Sequence, residues 1–271
     1  MLENPPIQSL WIGGKLSLME QLTINSFINN GHEFHLYVYD EIETPINHLV
    51  KIKDANEILD RKHIFSYKNY NQFGHGKGSV SGFSDIFRYK LLYEKGGWWV
   101  DMDVTCIKPL KTKGEYYFRK HHELLAVGNV MKAPAKNQLM LDCFNEALAE
   151  VDEHNTDWHK PINILNENIK KHQLEEFVGD GISNRDWWLE IIDFLYAKKR
   201  IPKNWVFIHW TNENFRAFGM NKNNFKINST YGKLLKKHKV IKKNFSFKER
   251  LLNSLKYNLF HKLMKGYYKP Y

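Results

Sequence analysis

The order of apolar and polar residues divides the chain into short strands and amphipathic helices. Ile7–Ile12 reads as a first strand, with Gly13 and Gly14 as the turn that leaves it. From Leu16 to Asn30 the residues Leu16, Met19, Leu22, Phe27 and Ile28 recur at helical spacing, and Gly31 closes the run. Phe34–Tyr39 then alternates as a second strand that ends at Asp40. A strand, turn, helix and strand in that order open a βαβ unit, which predicts an α/β chain built on a mostly parallel, mixed sheet. Ligands of such sheets bind beyond the carboxyl ends of the strands, where Trp11, Asp40 and, later, Asp101 and Asp103 would lie.

The densest pattern comes next. After Ser84, the apolar residues Ile86, Phe87, Tyr89, Leu91, Leu92 and Tyr93 predict a helix that Gly96 and Gly97 stop. Trp98–Val100 is a buried strand with Val104 as its continuation. Further strands are predicted at Leu124–Val130 and Trp205–Trp210, and helices at Asn137–Val151 and Arg185–Ala197.

Chemistry enters where that strand ends. Asp101 and Asp103, two residues apart on a strand, would point to one side of the sheet. Oxygen ligands of this kind suit a hard divalent cation that also holds phosphate oxygens, Mn²⁺ or Mg²⁺. A lone Asp-x-Asp occurs often by chance and carries little weight. This one follows an apolar strand and a helix on which Asp85 and Arg88 are neighbours, three residues apart. The bland reading of that second pair is a surface ion pair. The Gly-rich segment 66–82, with Gly74-His75-Gly76-Lys77-Gly78-Ser79, lacks the spacing of a nucleotide-triphosphate loop. It is either a mobile loop over a ligand or a flexible connector. His154, His159 and His172 show no ligand spacing and read as solvent-facing.

Ser84-Asp85-x-x-Arg88, Leu91, Gly96-Gly97, an aromatic residue and Asp101-x-Asp103 together resemble the core of the DXD-containing glycosyltransferases of family 32. That family is related to the glucosylating clostridial toxins and to bacterial capsule and lipopolysaccharide sugar transferases. Leu10-Trp11-Ile12-Gly13-Gly14 is similar to the toxins' first strand. The resemblance is strong over roughly residues 7–110, faint to about 218 and absent beyond. It implies a GT-A-like nucleotide-sugar fold, a UDP-sugar donor and transfer with retention. It further implies Trp11 stacked on uracil, Asp85 on donor-sugar hydroxyls, and Arg88 on the sugar and diphosphate. Asp101 and Asp103 would hold the cation, with His209 as third protein ligand and Trp210 beside the donor. Asn129 is the substrate-facing asparagine it suggests, and Asp180, in Gly179-Asp180-Gly181, falls on the acceptor side although it departs from the family's Gly-Pro pattern there.

Composition and charge then change the picture at one end only. The aromatic share, 14% with eight Trp, suits stacking on sugars and bases. Cys106 and Cys143 are far apart, which fits a reducing compartment without a disulfide framework. The N-terminal residues have no basic start and apolar run of a signal peptide, and no stretch of the chain is apolar enough to span a membrane. The net charge of +10 is concentrated after residue 232, where twelve Lys/Arg meet one acid, Glu249. There Ser246-Phe247-Lys248-Glu249 forms a capping box, and Leu251, Leu252, Leu255, Leu259, Leu263 and Met264 fall near one helical face. A basic amphipathic helix of this kind reads as an anchor on an anionic membrane surface, against a helix packed on the body; no nucleic-acid motif is present.

The expectation is therefore a glycosyltransferase domain over 1–232 with a basic helical tail over 233–271. It would move a hexose or N-acetylhexosamine to a saccharide or glycolipid acceptor in capsule or lipopolysaccharide assembly, peripheral on the cytoplasmic face of the inner membrane. The rivals are a toxin-like transferase with a protein acceptor, a non-catalytic basic membrane-binding protein, and a metal-dependent phosphohydrolase.

Overall fold

The computed structural model describes residues 5–112, 114–179 and 182–267. β1 (Ile7–Trp11), α1 (Leu18–Asn29), β2 (Phe34–Val38) and β3 (Val50–Asp54) form the opening unit. α2 (Ser81–Lys95), β4 (Gly97–Val100) and β5 (Val104–Cys106) follow. β6 (Tyr117–Lys120), β7 (Ala126–Ala133), α3 (Gln138–Glu150), α4 (Lys160–Lys171) and β8 (Val178–Gly179) complete the middle of the chain. The last part holds α5 (Trp188–Tyr196), β9 (Phe207–His209), α6 (Asn212–Ala217), α7 (Thr230–Lys237) and α8 (Phe247–Tyr267).

The expected α/β architecture is present. Among the described residues, seven strands form one mixed sheet in the order β3-β2-β1-β4-β7-β6-β8. The β3/β2, β2/β1, β1/β4 and β6/β8 pairs are parallel, and β4/β7 and β7/β6 antiparallel. Helices cover both faces. Trp99, Leu10 and Met131 face α2, α3 and α4, whereas Trp98, Ile7 and Val130 face α1. Adjacent residues of β4 thus drive their indoles into opposite cores, and this fixes the register of the central strand.

α1 starts at Ser17, whose hydroxyl accepts from Met19 N–H while Glu20 reaches back to the Ser17 N–H, a capping box. α2 ends where the glycine pair required it to. Gly96 has φ of 64°, and a Cβ there would lie 2.5 Å from the Ala135 nitrogen.

Two sequence expectations change here. β4 stops at Val100 and Val104 does not extend it, because the chain bends at Asp101 and enters a second, two-stranded sheet. In that sheet β5 pairs antiparallel with β9, Val104 opposite His209. Asp101 and Asp103 therefore sit on a corner between two sheets rather than on one strand face. The predicted helix from Arg185 also starts later, at Trp188, leaving 183–187 as irregular chain.

The boundary placed after residue 232 falls inside α7, whose Leu234 and Leu235 are buried with α1 and α5 residues. α8 packs on α5: Tyr257 stacks on Tyr196 at 5.5 Å, and His261 and Lys265 reach Asp193 at 2.9 and 2.7 Å. No helix among the described residues is long and apolar enough to cross a membrane.

Candidate active site

A cavity of about 480 Å³ opens at the carboxyl ends of β1 and β4. Trp11, Asp85, Arg88, Asp101, Asp103, Asn129 and His209 all line it. Seven of the nine residues singled out from the sequence thus converge on one space.

One wall comes from α2 and the end of β4. Phe83, Phe87, Leu91 and Leu92 are fully buried, at roughly 1.5–3 kcal/mol each, and this offsets the cost of carrying Asp85 and Arg88 inward on the same helix. Arg88 lies 3.3 Å from Asp85 and 3.2 Å from Asp101, with its guanidinium 5.1 Å from the Trp99 ring. Trp99 N–H donates to Asp101 at 2.7 Å. Gly128 makes room: a Cβ there would come within 2.8 Å of Arg88 Nη1. Two carboxylates share one cation. Burial raises the Asp85 pKa to about 6, Arg88 opposing and Asp101 adding to the rise; burial also raises Asp101, against the pull of Arg88.

The opposite wall is assembled from four separate segments. Arg119, on β6, donates from both terminal nitrogens to Asp186 at 2.8 Å, a bidentate fork. It is held further by Ser183 Oγ and the Asn184 carbonyl. Asp186 accepts at 2.8 Å from His209 Nδ1, and His209 Nε2 lies 3.2 Å from Asp103. Asn184 grips the His209 backbone through both N–H and C=O at 2.9 Å. Asp103 takes a further hydrogen bond from Asn212 N–H at 2.6 Å. Burial opposes a charge on His209, but Asp103 and Asp186 outweigh it and raise its pKa to about 10. Burial likewise pushes Asp103 and Asp186 up, yet the charged His209 brings both below the usual carboxylate range, with Arg119 helping at Asp186. His121, near Asp186, is lowered to about 4 by burial and stays neutral.

The remaining sequence choices divide. Trp11 and Asn129 line the cavity, and Trp11 Nε1 and Asn129 Oδ1 are buried without a hydrogen-bond partner, polar atoms left unsatisfied beside the site. Lys222 lies over the Trp11 ring at 5.4 Å. Trp210 does not reach the cavity. Its ring is fully buried against Tyr231 and its N–H donates to Thr105 at 2.8 Å, so it supports the site from the core, with its backbone N–H on the Asp103 carbonyl. Asp40 pairs with Arg61 instead, and Asp180 lies outside the described residues.

Segment 66–82 is a pinned wall rather than a free connector. Gly76 N–H donates to Glu213 on α6 at 3.0 Å, Arg216 bonds the Lys77 carbonyl, and Lys68 N–H bonds the Glu153 carbonyl at 2.7 Å. His159, expected in solvent, lines the cavity beside Trp158, and His172 bonds Asp142 at 3.0 Å.

Sequence reasoning missed Arg119, Asp186 and the Asn212 N–H. Arg119 looks like any strand residue in Tyr-Phe-Arg-Lys, and Asp186 was hidden inside a helix that begins too early. A clue to Asp186 existed: polar Ser183-Asn184-Arg185-Asp186 before the apolar run is loop composition, not helix.

Residues 18–119 match the glycosyltransferase sugar-binding region containing the DXD motif. That region runs from the start of α1 into β6 and includes Asp85, Arg88, Asp101 and Asp103. Among solved structures, the chain is similar to "PaToxG Glycosyltransferase" at 13% identity and TM-score 0.45, over 62% of this chain and 69% of that one. A transferase solved as a double cysteine-to-serine mutant shows 10% identity and TM-score 0.43, over 66% and 92%. No curated protein matches the sequence.

The cavity can be tested for a cation. Among the described residues, no three carboxylate, imidazole or thiol groups are gathered to hold a metal unaided. The donor chemistry still fits one whose shell is completed by substrate oxygens. Asp101 and Asp103 face one space, and the Asp85–Arg88–Asp101 cluster has one more carboxylate than cation.

Proposed function

We propose that the protein is a glycosyltransferase with a GT-A-like site, moving a hexose or N-acetylhexosamine from a UDP-sugar to a saccharide or glycolipid acceptor. The observation that carries the reading is the convergence on one cavity of the charge-deficient Asp85–Arg88–Asp101 cluster, inside the DXD-motif region, with Asn129 and Trp11, each of which has an unsatisfied polar atom beside the site. Trp11 offers a flat ring for the uracil. Asp85 and Asn129 accept from sugar hydroxyls, and the Arg88 guanidinium meets the sugar and diphosphate. Mn²⁺ or Mg²⁺, held by Asp103 and Asp101, would supply Lewis-acid neutralisation of the departing diphosphate, and His209 Nε2 would become the candidate third donor on releasing the proton it shares with Asp103. Arg119 and Asn184 keep Asp186 and His209 fixed, so the wall is arranged before substrate arrives. Transfer proceeds with retention: the acceptor hydroxyl attacks on the face that UDP leaves, and its proton passes to the departing phosphate oxygen. Assembly of a capsule or lipopolysaccharide on the cytoplasmic leaflet is the setting we favour.

Calorimetric titration of UDP, with and without Mn²⁺, on wild type, Asp103→Asn and Asp103→Ala tests it. Binding that requires both the metal and Asp103, in variants whose melting shows them folded, supports the reading. Absence of binding with any divalent cation, or binding indifferent to metal and Asp103, overturns it.

A further inference from the structure

α8 has two apolar sides, and only one of them is used. At 100° per residue, Asn253, Tyr257, Phe260 and Met264 share the side turned to α5 and the 225–227 segment. Phe247, Leu251, Leu252, Leu255, Leu259 and Leu263 fall on the opposite side and are 83, 49, 56, 60, 62 and 63% exposed. Ordinary helices of a folded body hide such a row; six large apolar side chains in line on one helix are a contact surface. Lys248 and Lys262 stand within the row and Lys256 on its border, all exposed. The one acid of the helix, Glu249, is occupied by Lys243 and the Ser246 N–H.

We propose that this leucine face of α8 seats the protein on an anionic lipid bilayer, with the helix lying in the headgroup plane. The charge pattern selects that occupant. A second copy would bring Lys248 and Lys262 against identical lysines with no carboxylate to answer them. A nucleic acid would leave the leucine row in water. A bilayer with anionic headgroups accepts both the leucines below and the lysines at its surface. Because the opposite side of α8 is clamped to α5 through Tyr196 and Asp193, the helix docks as part of the folded body rather than as a loose tail.

The test is sedimentation of the full chain with vesicles of phosphatidylcholine alone or mixed with phosphatidylglycerol. Wild type is expected to pellet with the anionic vesicles only, and less so as salt rises. Leu255→Ser with Leu259→Ser, both exposed, should bind about tenfold or more weakly while melting and binding UDP as wild type does. Lys248→Glu with Lys262→Glu should lose the preference for anionic vesicles. Failure of wild type to pellet, equal binding to neutral vesicles, or leucine variants that bind unchanged would each overturn the proposal. So would a dimer in sedimentation velocity that the leucine variants dissociate when no vesicle binding is seen.

Discussion

The two walls of the cavity carry similar side chains and are built in opposite ways. On one, Asp85, Arg88 and Asp101 come from a single short stretch of chain, and a lone guanidinium serves two carboxylates. On the other, Arg119, Asp186, His209 and Asp103 come from four segments and alternate in sign, each charge answered. The first wall is electrostatically incomplete and the second is closed. Incompleteness suits a ligand site and closure suits a scaffold; in the proposed site a cation would join the two walls, at Asp101 and Asp103.

The contrast can be broken at Arg119. Arg119→Met leaves the buried Asp186 with His209 as its one charged partner, and should cost about 3–5 kcal/mol in urea unfolding. Arg88→Met should cost less, since Asp85 and Asp101, already raised, can take up a proton. Equal losses would mean the walls do not differ. The next effect is on chemistry. Asp85→Asn keeps shape and removes a charge that burial disfavours, so the fold should survive while turnover of the proposed UDP-sugar donor falls about 100-fold, near 2.7 kcal/mol of transition-state stabilisation.

A third experiment sharpens the closed wall through pH. The folded pKa of His209 is raised from 6.5 to about 10, so its charged form contributes stability that is complete below 6.5 and lost as pH rises through about 10. Across that window metal-free His209→Gln should show a slope of stability with pH flatter by about one proton; an unchanged slope would refute the closed-wall picture. The smallest effect on the site is expected from Trp210→Phe, which removes the N–H to Thr105 and trims a fully buried ring, costs about 2 kcal/mol of stability and leaves UDP affinity unchanged. A tenfold loss of affinity would return Trp210 to the site.

This difference also explains what could be read from the sequence. The Asp85–Arg88–Asp101 wall is local: helical spacing, a glycine stop and a short apolar strand place its residues, and each of those signals is written in adjacent positions. The strand, turn, helix and strand order at β1, α1 and β2 pointed to the parallel core for the same reason. Arg119 and Asp186 meet only because β6 crosses to the segment before α5, and no periodicity in either stretch encodes that meeting. The Asp101–Asp103 corner was missed for a related cause. Val104 suits a continuing strand equally well, and its true partner, His209, is more than a hundred residues away. Trp210 was drawn toward the ligand by its neighbour His209, though at a strand end consecutive side chains point apart.

The paired indoles of β4 have a bearing on what insertions the chain can survive. Trp98 and Trp99 are each 1% exposed, in cores on opposite sides of a strand only four residues long, and Gly96 is pressed against Ala135 just before it. One residue added or removed between Gly97 and Asp101 would exchange the two rings between cores and turn Asp101 away from Arg88. The meeting of Arg88 and Asp101 is therefore set by the packing of the two indoles as well as by the ion pair itself. Length changes should be tolerated in the exposed 242–244 segment before α8 and lethal to folding here.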